Sequence, residues 1–137
     1  MFDSDSILHG QRTQEIVEAL QAAPFEFIGI IGSSHSAWSA AQVLEKTILP
    51  RCPNAIIAVL ARNSIKSFYE SRVSADNKGY RYDNGDVCKT TGRVNRFGGI
   101  RGDAKALYRK VIESDNIFTG GDLVEPLAST SAIQIFH

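Results

Sequence analysis

The chain has 137 residues, 43% of them hydrophobic and 22% charged, with 15 Lys and Arg against 15 Asp and Glu. That length fits one domain, and the composition excludes the disordered, collagen-like and coiled-coil classes. Balanced charge gives no general attraction to a nucleic-acid backbone or an anionic membrane, so neither is expected as a partner. Two cysteines, Cys52 and Cys88, supply neither a disulfide framework nor the paired Cys/His spacing that zinc takes, and no metal is expected. The longest apolar run, residues 25–32, falls far short of the roughly 20 residues that cross a bilayer. With acids at the amino terminus in Met-Phe-Asp-Ser-Asp-Ser, the expected compartment is cytoplasmic.

In chain order, Ile16, Val17 and Leu20 share one face of a helix expected over about 13–22, with Thr13 as its cap and Pro24 closing it. Phe27-Ile28-Gly29-Ile30-Ile31 is apolar on both faces and reads as a central strand of a parallel sheet. A helix follows over 34–48, its stripe made by Ala37, Ala41, Leu44 and Ile48. Pro50 and Pro53 mark a turn, and residues 55–61 read as a second buried strand, completing a βαβ unit. Residues 63–102 look like a long irregular excursion, mostly loop, with one short helix near 65–71 and a turn at Tyr82-Asp83-Asn84-Gly85-Asp86. Ala104, Leu107, Tyr108, Val111 and Ile112 make a further helical stripe with Asp103 as N-cap, and residues 132–136 suggest a closing strand. The predicted fold is α/β, a Rossmann-like three-layer sandwich of one domain over 1–137, with a small parallel sheet and helices on both faces.

The most informative stretch joins the first strand to the helix after it: Gly32-Ser33-Ser34-His35-Ser36-Ala37. Gly32, Ser34 and Ala37 occupy the three positions of a relaxed dinucleotide fingerprint: one for a tight turn, one for close approach of backbone to pyrophosphate, one for close helix–strand packing. The helix start offers unpaired N–H groups and the positive end of a dipole, and Ser33, Ser34 and Ser36 can add hydroxyl donors. A tight strand-to-helix turn also favours small residues whatever it binds. Where the usual fingerprint ends its second strand in an acid for the ribose, this chain has Arg62, with Lys66 one helical turn on. Either these cations take a 2′-phosphate, which means NADPH rather than NADH, or they are solvated at a strand end.

The run Phe27-Ile-Gly-Ile-Ile-Gly-Ser-Ser-His-Ser-Ala-Trp-Ser-Ala-Ala41 resembles the NADPH-binding motif of flavin-dependent monooxygenases, the N-hydroxylating kind included, and of related FAD/NAD(P)-binding oxidoreductases. Gly32, Ser36 and Ala37 match that motif, Ser34 replaces its second glycine, and Arg62 stands where such enzymes often carry a cation. The likeness is closest over 25–62 and extends more thinly to Glu113 through Phe97-Gly98-Gly99-Ile100-Arg101-Gly102-Asp103. It implies an NADPH-binding domain. The family also has an earlier glycine-rich turn for FAD; this chain shows no second GxGxxG, so FAD is not expected on it alone.

Three functions follow as expectations: supply of hydride to a flavin on another chain, a non-redox isomerase, cyclase or carrier for a small apolar metabolite, or a homodimeric interaction module. His35 is either a phosphate donor or acid/base group, or a surface-loop histidine. His9 reads as structural and His137 is terminal. Arg93, Arg96 and Arg101 around Gly98-Gly99 make either an anion-binding loop or a solvated connection. Phe68, Tyr69, Tyr80 and Tyr82 either line a pocket or fill a core beneath the excursion. No Ser/His/Asp or Cys/His constellation has local support.

Overall fold

The computed structural model describes residues 3–23, 27–113, 117–118 and 133–136. Its elements are α1 (Ser4–Leu8), α2 (Thr13–Ala22), β1 (Phe27–Ile31), α3 (His35–Thr47), β2 (Ile56–Leu60), α4 (Arg72–Asp76), a 3-10 turn (Asn84–Asp86), α5 (Gly102–Glu113), β3 (Ile117–Phe118) and β4 (Ile133–Phe136). The strands form one parallel sheet in the order β1-β2-β4-β3, so the fold is α/β with a small parallel sheet. Pro24, Ala132 and His137 lie outside the described residues. No helix among those described is long and apolar enough to cross a membrane.

One core holds these elements together. The β1–β2 register sets Ile28 beside Ile57 and Ile30 beside Val59, all four on one face of the sheet. These four share one buried cluster with Ile16, Val17 and Leu20 of α2, Trp38, Ala41 and Leu44 of α3, and Ala104, Leu107 and Val111 of α5, in which α3 lies on β1 and β2 and α5 lies against α3 and β4. The alanines of α3 let it lie close to the strands, while fully buried Trp38 fills the gap to α5 with its ring edge-on to Tyr108, centroids 5.1 Å apart. Truncating a tryptophan so placed costs about 3–5 kcal/mol.

The structure corrects several expectations. β1 is an edge strand among the described residues, not a central one, and its face away from the helices is open: Phe27 is 49% and Ile31 82% exposed. The central strand is β2, whose Ala58 is fully buried. A helical layer on the second face is not found among the described residues. Thr13 does not cap α2: the N-cap position falls on Arg12, without a side-chain bond, and the Thr13 hydroxyl donates to the Gly10 carbonyl at 3.1 Å. α5 starts at Gly102, so Asp103 lies inside its first turn. A short α1 precedes α2, its cap formed by Asp3, whose carboxylate accepts the Ser6 amide at 2.9 Å and is held below the usual range by that bond.

The excursion is the largest correction. Residues 65–71 are not helical: Ile65, Ser67 and Tyr69 are buried while Lys66 and Glu70 are exposed, the two-residue period of an extended chain. Ser67 bridges Ile100 and Tyr69 bridges Val94, and the short helix comes later, at α4, capped by Ser71 accepting from the Ser74 amide at 3.1 Å. A second small core of Tyr69, Ala75, Val87 and Val94, with Tyr80 and Tyr82 against it, fills this region, so these tyrosines pack a core. The Tyr80 hydroxyl accepts from the Ser67 amide and the Asn95 side chain, each at 3.0 Å, and Asn95 also donates to the Ser67 carbonyl at 2.9 Å.

A Cβ on Gly99 would sit 2.6 Å from the Phe68 nitrogen and 2.8 Å from the Asn95 oxygen, whereas one on Gly98 would meet nothing within 4 Å. Gly99→Ala is therefore expected to lower unfolding free energy in urea by about 2 kcal/mol or more, through backbone displacement. Gly98→Ala should change it by less than about 0.5 kcal/mol.

Candidate functional site

At the carboxyl end of the sheet the Gly32 amide donates to the Leu60 carbonyl at 3.0 Å, the last rung between β1 and the β2 side. Gly32 then takes φ +119°, a value that excludes side chains for backbone reasons alone, since a Cβ there would meet nothing within 4 Å. The chain thereby swings from strand to helix in three residues. Ser34 is the N-cap of α3 at φ −74°, ψ 173°; its side chain makes no cap bond, and its carbonyl accepts the first helical bond from the Trp38 amide at 3.2 Å. The amides of His35, Ser36 and Ala37 lie ahead of that first bond and have no intrahelical acceptor. His35 and Ser36 are exposed, whereas Ala37 is buried.

Gly32, Ser33, Ser34, His35, Ser36 and Ala37 are thus contiguous at the end of β1, and Arg62, exposed, follows the end of the neighbouring strand. Lys66 is drawn elsewhere. Its ammonium pairs with the Asp86 carboxylate, which raises the lysine pKa and lowers that of the acid. His35 accepts the Arg101 amide on Nδ1 at 3.4 Å, so the segment 96–101 is brought beside the turn, a proximity with no signal in the sequence.

The three arginines of that segment and its approach have separate partners. Arg93 pairs with Glu70 at 3.0 Å. Arg96 lies 4.9 Å from the Phe97 ring and reaches Cys88 Sγ at 3.6 Å, while Arg101 lies over Phe68 at 4.5 Å and donates to the Arg96 carbonyl. Asp83 and Asp86 close the Asn84–Asp86 turn reciprocally, each accepting a backbone amide of the other's end. Lys105 donates to the Phe68 carbonyl at 2.6 Å and sits 3.3 Å from the Tyr69 ring centre; burial lowers its pKa.

Beside the turn lies an open cleft of about 600 Å³. Its walls are apolar, with Ile7 and Leu20 from the helices, Ile28 from β1 and Ala40 from α3; Ser34 and Ser36 give it polar groups at the α3 end.

No family model matches the chain, and no solved structure matches it. It is similar to a hydroxylase. The CMP-5′-(3-aminopropyl)phosphonate hydroxylase of Streptomyces rubellomurinus is 40% identical over 89 residues, a stretch covering 62% of this chain and 20% of that protein. The chain thus spans about a fifth of the length of the curated relative it matches.

Sequence spacing gives Cys88 no role, yet its surroundings favour the thiolate. A hydrogen bond from Thr91, the Arg96 guanidinium and the Thr91 and Thr90 amides bring its pKa down to about 6. Because the shift is downward, most of the thiol is ionised at pH 7. Alkylation by iodoacetamide should therefore rise with pH to half its plateau rate near 6, with Cys52, 2% exposed, silent until the protein unfolds. Thr91→Val and Arg96→Ala should each move that midpoint upward, and a midpoint unmoved by both would show that other groups set it.

Proposed function

We propose that the chain is a Rossmann-like domain that binds NADPH. The observation that carries this reading is the arrangement at one end of the sheet: a glycine at φ +119°, then three unpaired amides at the start of α3, with Arg62 just past the adjacent strand. The amides and the helix dipole suit a pyrophosphate, and the Arg62 guanidinium suits a 2′-phosphate. Open space around Gly32 leaves room for phosphate oxygens to approach the backbone. Lys66 contributes little, because Asp86 holds its charge.

Similarity to part of a hydroxylase supports a redox setting. A hydroxylation that takes its oxygen from O2 reduces the second oxygen atom to water and consumes two electrons, the number one hydride carries. NADPH supplies that hydride and leaves as NADP⁺; the acceptor in this reading is a flavin held outside these 137 residues, since the Gly32 turn is taken by the nicotinamide nucleotide. A second reading draws on the apolar cleft of about 600 Å³, which suits a small apolar metabolite with an anionic group at Ser34 and Ser36, bound without redox chemistry.

Titration with NADPH and NADH, followed by emission of Trp38 beneath the first turn of α3, separates the two. The expected result is micromolar NADPH binding, weaker binding of NADH, and a loss of about tenfold in NADPH affinity for Arg62→Ala. Lys66→Ala should leave affinity within about twofold of the parent. Absence of binding by either nucleotide would overturn the first reading and leave the apolar ligand.

A further inference from the structure

The open side of β1 matches its own two-fold copy. The Gly32 amide points at β2, and because backbone groups alternate along a strand, those of Ile28 and Ile30 point the same way. The N–H and C=O groups of Phe27, Gly29 and Ile31 therefore point away from the sheet, and no described strand pairs with them. The five-residue strand is of ordinary length and uncharged, without the lysine, proline or bulge by which soluble proteins blunt such edges.

Its sequence is close to palindromic about Gly29. We propose that two copies of this chain join through antiparallel pairing of β1 about a two-fold axis at Gly29, giving one sheet continuous across both. In that register Phe27 opposes Ile31 of the second copy, Ile28 opposes Ile30, and Gly29 opposes itself. The three opposed positions with outward backbone groups then exchange two hydrogen bonds each, which satisfies every donor and acceptor on that edge. A shift by one residue would set outward groups against inward ones, and a shift by two would leave Phe27 or Ile31 unpaired, so the register about Gly29 is the one that uses the whole strand. On the open face the pairing sets the ring of Phe27 against the β-branched side chain of Ile31, a favourable cross-strand combination, and covers two of the most exposed large apolar side chains. A second copy suits better than an unrelated strand because both the backbone pattern and the side-chain pairs are self-complementary, as an isologous contact requires. The second strand would also wall the β1 side of the cleft that reaches Ser34 and Ser36.

Light scattering on the eluting protein across a concentration series should show twice the 15.0 kDa chain mass, falling to the single mass on dilution. Ile31→Lys and Phe27→Lys should each raise the dimer dissociation constant by about tenfold or more, since symmetry applies each change twice. Val73→Lys, on α4 and 66% exposed, is the matched control and should leave it unchanged. Circular dichroism should show the same folded signal for all three variants. For register, Gly29→Cys in a Cys88→Ser background places two thiols about 5.5 Å apart at Cα, within disulfide reach. The added side chain meets only ordinary contacts, 3.6 Å to Phe27 and 3.8 Å to Leu60. Oxidation should give a covalent dimer. A single-chain mass at all concentrations, a dimer insensitive to Ile31→Lys, or a dimer that does not cross-link through Gly29→Cys would each overturn the proposal.

Discussion

The bond from the Gly32 amide to the Leu60 carbonyl fixes where sheet ends and site begins. Up to that rung the backbone of β1 is committed to β2 on one side. One residue later the glycine conformation turns the chain into α3, whose first amides have no acceptor within the helix. A non-glycine residue at 32 would have to leave the φ +119° region, and the direction of α3 would change with it. Trp38, Ala41 and Leu44 would then lose their register against Ile57 and Val59. The candidate nucleotide turn and the main core thus depend on the same two peptide groups.

The excursion serves the site from the other side. Its small core fixes Tyr80, whose hydroxyl holds Ser67 and Asn95 together, and Asn95, at φ +50°, begins the bend that carries Arg101 to His35. Gly99 passes so close to Phe68 that no side chain fits between the two segments. Arg96 and Arg101 are consequently positioned by stacking on Phe97 and Phe68 and by bonds to Cys88 and to the backbone. Positive charge stands near the turn in a fixed arrangement, although each guanidinium already has neighbours of its own.

Much of the βαβ unit was legible from pattern. The bounds of α2 and β1 and the small-residue turn at Gly32–Ala37 follow from periodicity and from the backbone demands of a strand that feeds a helix. The excursion was not legible, because its order comes from contacts between residues about 30 apart: Ser67 with Ile100, Tyr69 with Val94, Lys105 with the Phe68 carbonyl. Glycines and charges at the frequency of loops mask a two-residue alternation only three residues long, Ile65, Ser67 and Tyr69. The pairing of Lys66 with Asp86 escaped for the same reason, since twenty residues of irregular chain separate them. Caps were misplaced by one residue at Thr13 and Asp103, where a glycine or a bond to the preceding turn sets the boundary instead of a side-chain acceptor.

β1 departs from its composition for another reason. Phe27-Ile28-Gly29-Ile30-Ile31 has the composition of a strand flanked by neighbours on both edges, and composition is selected on the assembled state in which a protein works, whereas exposure in a single chain counts only what that chain brings. An uncharged edge left open templates pairing with any available strand, a persistent hazard at cellular concentrations. The two-fold pairing proposed above reconciles the composition with the topology: it makes β1 interior to a longer sheet while leaving the Gly32 turn, at the strand's end, clear of the axis that passes through Gly29. Holding β1 by both edges would also restrict the turn that follows it. Nucleotide binding and association would then favour one another by equal free energies, because a coupling between two binding events is reciprocal.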